Sequence, residues 1–257
     1  LSLPGVFLGV LIWLTGPRQA PTVSTAAAGD ASTLQVIKHF LATPSLRYIA
    51  IGVGVFNIFG YAGITWLPAY FIRSHGLSVV ETGTWLGMGS AIGGVLGAIS
   101  GGMLVDRLRL RDEAWQLRIP AIGLFASVPL LVLMFLLPGG LKINIGGLHV
   151  PAVAMLLMVT AYLGALWTAP AYGSIARLIP PAQRAQAVGV FVVILNLIGS
   201  VLGPPIAGLA SDYLTPMFAH DAMRYSLLSL TVLVFAGAVL AAMAARSFKS
   251  DLAQAQV

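Results

Sequence analysis

Apolar runs long enough to cross a bilayer alternate with short polar loops along most of this chain. The pattern predicts six membrane-spanning helices, over residues 48–71, 82–105, 119–137, 151–174, 185–210 and 225–244. Each is close to or above the roughly 20 residues that a helix needs to cross a hydrocarbon core about 30 Å thick. A helix is required because lipid offers no partner to an unpaired backbone N–H or C=O. The runs show no period-two alternation and are far longer than a barrel strand of about 10 residues. An all-α membrane protein is expected.

Composition sharpens the picture. Hydrophobic residues make up 58% of the chain, charged residues 9%, and mean hydropathy is +0.92, against roughly 25% charged residues in soluble domains. The net charge of +6 is distributed by loop: Arg18, Lys38, Arg47, Arg107, Arg109, Arg111, Arg118, Arg177, Arg184, Arg246 and Lys249 fall on one side, and Arg73, Lys142 and Arg224 on the other. The positive-inside rule places the first group in the cytoplasm, with the carboxyl terminus. The charge is therefore a topology signal directed at anionic headgroups of membrane lipids, and no nucleic-acid partner is expected.

Ahead of the first full span, residues 1–15 are apolar but too short to span, begin with Leu, and lack the basic flank and cleavage site of a signal peptide. They are expected to be the end of a preceding transmembrane helix, which makes the chain a fragment. Residues 16–44 read as a cytoplasmic linker. Its second half, with Asp30 or Ser32 as cap and Leu34, Ile37 and Leu41 on one face, predicts a short amphipathic helix on the membrane surface, ended by Thr43-Pro44. A solvated helix without membrane contact is the plainer alternative. Residues 45–246 form the six-helix bundle and 247–257 a cytoplasmic tail.

The chemistry of soluble enzymes is missing from the sequence. There are no cysteines, and His39, His75, His149 and His220 lie in loops or at span edges without ligand-like spacing. HExxH, Walker A and GxSxG motifs are absent. No metal, cofactor or enzymatic activity is expected.

The second span carries three rows of small residues at every fourth position: Gly83, Gly87 and Ala91; Gly89, Gly93, Gly97 and Gly101; and Gly94, Ala98 and Gly102. Such rows let helix backbones approach closely, and three of them predict a central helix packed around much of its circumference. Directly after it comes Gly102-Met103-Leu104-Val105-Asp106-Arg107-Leu108-Arg109-Leu110-Arg111. This resembles the loop signature G-x-L-x-D-R-x-G-R-R/K of the major facilitator superfamily, in the copy between the eighth and ninth helices. Arg109 stands where the second glycine usually is, and Leu110 replaces an arginine. The resemblance implies a gating motif of Gly102, Asp106, Arg107 and Arg111. Asp106 would latch onto a neighbouring helix N-terminus, and the arginines would complete a charge network. A basic turn that only sets topology is the plainer alternative.

The fifth span adds a second match. Pro180-Pro181-Ala182-Gln183-Arg184-Ala185 precedes it, and Asn196-Leu197-Ile198-Gly199 with Gly203-Pro204-Pro205, Gly208 and Ser211-Asp212 closes it. This resembles the eleventh helix of the spinster-like branch of that superfamily. Gly199 and Gly203 permit close packing, and Pro204-Pro205 bend the helix. Leu3-Pro4-Gly5 and Gly16-Pro17-Arg18 resemble that branch's sixth helix and its end. The chain is thus similar throughout to the carboxyl-terminal half of a twelve-helix transporter, whose amino-terminal half is missing.

In this fold the first and fourth spans of the half line the central cavity. Asn57, Tyr61 and Thr65 step by four along the first, and Thr160, Gly164, Trp167, Ala171 and Ser174 form the analogous face of the fourth. Asn196 lies mid-bilayer in the fifth span. The candidate substrate cavity is therefore Asn57, Tyr61, Thr65, Thr160, Trp167 and Asn196, with interhelical hydrogen bonding the competing role for Asn57, Tyr61 and Asn196. Trp66, Tyr70 and Trp85 read as interfacial belt residues. All eight acids lie in loops or at helix ends, so a coupling proton would need a carboxylate outside this half. The expectation is a secondary transporter working by alternating access, proton-coupled by resemblance, with a lipid-like or drug-like amphiphile as its small-molecule substrate. It would reside in a bacterial inner membrane. A uniporter or importer of small organic anions, and a non-transporting scaffold or sensor, remain open alternatives.

Overall fold

A computed structural model of the chain describes residues 10–11, 14–15 and 33–255. Most of the expected helix end over residues 1–15 lies outside them. So does the linker through residue 32, with Arg18, Asp30 and Ser32. Val10–Leu11 and Leu14–Thr15 are helical.

Nine α-helices and one hairpin follow in the remainder: α1 Thr33–Ala42, α2 Pro44–His75, α3 Val79–Leu108, α4 Trp115–Leu136, β1 Lys142–Ile145, β2 Leu148–Pro151, α5 Ala152–Ala165, α6 Thr168–Leu178, α7 Arg184–Phe218, α8 Ala222–Ser229 and α9 Thr231–Ala255. The six expected spans fall on α2, α3, α4, α5–α6, α7 and α8–α9, so the chain is an integral multi-pass membrane protein built as a six-helix bundle. The helices outrun the apolar runs because their ends are capped. Pro44 starts α2, and Gly76 ends it in the left-handed conformation at φ 67°. At the start of α3 the Ser78 hydroxyl accepts from the Glu81 N–H (3.2 Å), while the Glu81 carboxylate accepts from the Ser78 N–H (2.9 Å), a reciprocal cap.

The fourth span breaks between α5 and α6. Pro170 has no N–H for the carbonyl of Leu166 and crowds it, so the helix turns at Leu166–Trp167. Polar side chains hold the broken turn: the Pro170 carbonyl accepts from Gln116 Nε2 (2.9 Å) and from the Ser174 hydroxyl (2.8 Å). The β-hairpin joining the third and fourth spans was not expected. Gly146 and Gly147, at φ 58° and 91°, form its two-residue turn.

Side-chain bonds gather the helix ends on two sides. On the basic side, the buried Asp251 of α9 accepts from the Ser45 N–H at the start of α2 (2.7 Å). Lys249 pairs with Asp112 (2.9 Å), and Arg177 with Glu113 (2.5 Å). On the opposite side, the Ser74 hydroxyl donates to Asp221 (2.8 Å) and Arg224 donates to the Leu137 carbonyl (2.8 Å). Residues 247–255, read as a tail, are the last turns of α9, with Phe248, Asp251 and Leu252 buried. Helix α1 lies against the bundle through Val36 and Phe40, the latter stacked on Phe191 at 6.4 Å. Ile37 is half-buried and Leu41 exposed.

Of the three small-residue rows on α3, one is used. A Cβ at Gly93 or Gly97 would collide with the carbonyls of Met158 and Tyr162, and at Gly101 it would sit 2.6 Å from that of Leu166. Gly83, Gly87 and Gly94 have open space, and Met88, Val95 and Ile99 are exposed. Within this chain α3 is zipped to α5 along one line, and the other two rows lie largely on its open face. We expect Gly97→Ala to lower the thermal midpoint in detergent, at a cost of about 1–3 kcal/mol. Gly94→Ala should leave it unchanged or raise it, by up to about 1 kcal/mol. Intrinsic tryptophan fluorescence distinguishes the two, and equal effects would contradict the seam.

Candidate substrate cavity

A cavity of about 610 Å³ lies between α2, α3, α4 and the α5–α6 break. Three of the expected cavity residues line it: Asn57, Thr160 and Trp167. Trp167 is held edge-on to Phe56, with ring centroids 6.4 Å apart. The Asn57 amide donates to the Val53 carbonyl (2.9 Å), and the Thr160 hydroxyl to that of Leu157 (3.0 Å). Pro68, on the same wall, has no N–H to offer the carbonyl of Ile64, and such a backbone gap is tolerated where it borders a cavity. Among the described residues, no charged side chain lines the space. Ala171 and Ser174, expected on this face, are fully buried instead, because the break at Leu166–Trp167 turns α6 away from the line of α5.

Tyr61, Thr65 and Asn196 do not line the cavity. A step of four residues advances 400° around a helix, so the stripe from Asn57 drifts about 40° per step and carries Tyr61 toward α7. There the Tyr61 hydroxyl donates to Asn196 Oδ1, the Asn196 amide donates to the Val192 carbonyl (2.8 Å), and the Thr65 hydroxyl donates to the Tyr61 carbonyl (3.1 Å). Tyr61 and Asn196 join α2 to α7 along a seam, while Thr65 is exposed and bonded within α2. Gly199 leaves room for Tyr61, to which a Cβ would come within 2.5 Å, and Gly203 fits against the backbone of Ile58 and Ala62. Trp66 is part of the same seam, donating to the Pro204 carbonyl (2.9 Å). Tyr70 is fully buried and donates to the Met134 carbonyl (2.6 Å), so neither is a belt residue.

Sequence reasoning missed the hydroxyls of Ser90, Ser127 and Thr168 and the apolar wall of Phe59, Leu131 and Met134. Ser90 sits among the glycines of α3, a signal that was readable. The other positions become cavity walls only through the packing of α4.

The expected gating residues lie at the end of α3 and in the turn after it. Asp106 has a 70% exposed side chain and pairs with Arg109 one turn on (3.3 Å). Arg107 and Arg111 are exposed. The carboxylate that meets a neighbouring helix N-terminus is that of Asp251, at α2. The charge network centres on the next two acids: Asp112 holds Lys249 and Arg118 (2.9 and 3.0 Å) and caps the Ala114 N–H (2.8 Å), and Glu113 holds Arg177. Lys249, ahead of the Ala114 N–H, keeps the Asp112 carboxyl below the usual carboxylate range, and Arg177 does the same for Glu113.

No family model matches the chain. A protein of Mycolicibacterium smegmatis (strain ATCC 700084 / mc(2)155) described as an MFS-type efflux pump is 30% identical over 253 residues, covering 96% of this chain and 55% of that protein. Two crystal structures of a bacterial homolog of the human lysosomal transporter Spinster superpose on 96% of this chain. The inward-facing unoccupied form gives a TM-score of 0.72 at 21% identity over 58% of its length, and the inward-facing occupied form 0.69 at 22% over 57%. The chain thus spans a little over half the length of the proteins it matches.

The acid cluster carries a sign-defined pH dependence. Both carboxyls have folded pKa values below their unfolded ones. Their stabilisation is therefore complete above the unfolded range, about 3.9–4.3, and is lost as pH falls through the folded values. Thermal stability should be insensitive to pH from 7 to about 5 and should decline below about 4. In Glu113→Gln the contribution of the Arg177 pair to that decline should disappear, as read from melts across the pH series. An acid limb identical to wild type would remove Glu113 from the account.

Proposed function

We propose, for a chain that belongs to the major facilitator superfamily and carries the six-helix carboxyl-terminal bundle of its twelve-helix fold, that it is half of a secondary transporter of neutral or weakly charged amphiphilic small molecules. The observation that carries this reading is the cavity of about 610 Å³ with aromatic and aliphatic walls, scattered amide and hydroxyl groups and, among the described residues, no charged lining side chain. Apolar walls with a few placed polar groups suit an amphiphile. Organic anions would call for a cation that this half does not supply to the cavity. The kinship with an efflux pump supports movement of such a molecule across the membrane.

Alternating access follows from the same reading: this half rocks against an amino-terminal half around a site near the midplane. The driving proton is carried by an acid of that other half, since no carboxylate among the described residues lines the cavity. The membrane is a bacterial inner membrane, with the basic side in the cytoplasm. In this scheme Asp106, Arg107 and Arg111 serve as gating residues in a conformation other than the present one, while Asp112, Glu113 and Asp251 fasten the basic end.

Gly164 on α5 lines the cavity, and a Cβ there lies 3.6 Å from Phe56 Cζ. Gly164→Phe projects a ring into the space. In vesicles carrying the full-length protein, it should reduce export of a lipophilic fluorescent amine by tenfold or more, while membrane insertion and yield stay normal. Unaltered export would sink the cavity assignment, whereas no export by the wild-type protein would favour a scaffold.

A further inference from the structure

We infer that a second site, a groove between α4 and α9 at the basic end, binds an anionic phospholipid. The groove has a volume of about 360 Å³, with Arg118, Ile122 and Phe125 on one wall and Ala242, Ala245 and Arg246 on the other. Phe125 meets Phe235 edge-on at 5.6 Å, continuing the apolar surface from α4 to α9 away from the arginines. Arg246 is exposed and makes no ion pair or hydrogen bond among the described residues. Arg118 gives one nitrogen to Asp112 (3.0 Å), lies over the Trp115 ring at 5.6 Å, and keeps 46% of its side chain exposed. Two guanidinium groups thus crown a groove whose walls are aliphatic and aromatic.

The position of the groove on α4 selects the occupant. Arg118, Ile122 and Phe125 each stand nine residues before a cavity residue, namely Ser127, Leu131 and Met134. Nine residues are two and a half turns, so groove and cavity lie on opposite faces of the helix. The groove looks away from the central space, onto the surrounding bilayer. From Arg118 to Phe125 it descends about 10 Å at 1.5 Å per residue, the depth of a headgroup and the upper part of an acyl chain. Basic pockets between transmembrane helices on the side rich in anionic lipid suit this chemistry. Small side chains at Ala242 and Ala245 leave room for the chain, and the arginines supply the charge complement of the phosphate. The inference rests on the membrane reading and is independent of transport through the cavity.

The test uses the full-length protein in nanodiscs of phosphatidylcholine with a minor fraction of phosphatidylglycerol. Native mass spectrometry counts the lipids retained after transfer to detergent. Wild type should retain phosphatidylglycerol in preference to phosphatidylcholine. Arg246→Gln should weaken that retention about fivefold, the effect of one cationic side chain near the surface. Ala242→Phe, which fills the groove and keeps both arginines, should do the same. Gly164→Phe should leave lipid retention unaltered, so failure of the transport reading and failure of this one are read separately. Equal retention of both lipids, or unchanged retention in Arg246→Gln and Ala242→Phe, overturns the inference. Release by millimolar inorganic phosphate, or retention confined to dimers, overturns the lipid as occupant.

Discussion

Among lipids, an apolar side chain gains little by touching a second helix instead of an acyl chain, so helix arrangement is decided where backbones can meet. Glycines provide that here. Gly93, Gly97 and Gly101 bring α3 onto the carbonyls of Met158, Tyr162 and Leu166, and Gly199 and Gly203 bring α7 onto Asn57, Ile58 and Tyr61 of α2. A third contact sets Gly52 of α2 against α9, where a Cβ would come within 2.9 Å of Leu240 Cβ, and Gly237 answers it within 2.9 Å of the Gly52 carbonyl. Helix α2 is therefore fastened to α7 and α9, and α3 to α5. No comparable line of glycines draws α2 onto α3 or α5. The cavity is the space left between two zipped groups, which is why its walls come from α2, α3, α4 and the α5–α6 break.

The spans, their order and the sidedness of the charges were legible because lipid imposes them residue by residue: a run is apolar enough or it is not. Packing was half legible. The row at Gly89, Gly93, Gly97 and Gly101 could be listed, but so could two others, and spacing alone does not say which row has a partner. On α2 the four-residue stripe predicted one face for Asn57, Tyr61 and Thr65, and the drift of 40° per step put Asn57 at the cavity, Tyr61 in the seam and Thr65 on an exposed face. Trp66 and Tyr70 looked interfacial from their positions in sequence, yet each found a carbonyl inside the bundle.

The charge pairs at the basic end were less legible. The resemblance to the gating motif pointed to Asp106, and the dipole argument asked for a carboxylate at a helix N-terminus. Both ideas have counterparts in the structure, on different residues. Asp251 meets the start of α2 from 206 positions away in sequence, a pairing that no local pattern could reveal. Asp112 and Glu113 take the cations because they sit in the turn itself, where the ends of α6 and α9 converge, whereas Asp106 still belongs to α3 and reaches only Arg109. The Pro170 break was legible in principle: a proline inside a span must orphan the carbonyl four residues back.

Charge is thereby separated from the cavity along the bundle. Ionic contacts occupy the two rims, where water lowers the cost of desolvation, and between them the polar groups are neutral and satisfied largely by their own helices, as Asn57 by Val53 and Thr160 by Leu157. Neutral groups of this kind can exchange a helix carbonyl for a solute at small cost, since a net hydrogen bond is worth only about 0.5–1.5 kcal/mol. A buried ion pair could not do so, because removing one partner leaves an uncompensated charge. The chain has its strong polar bonds where helices must stay together, and weak, exchangeable ones around the cavity.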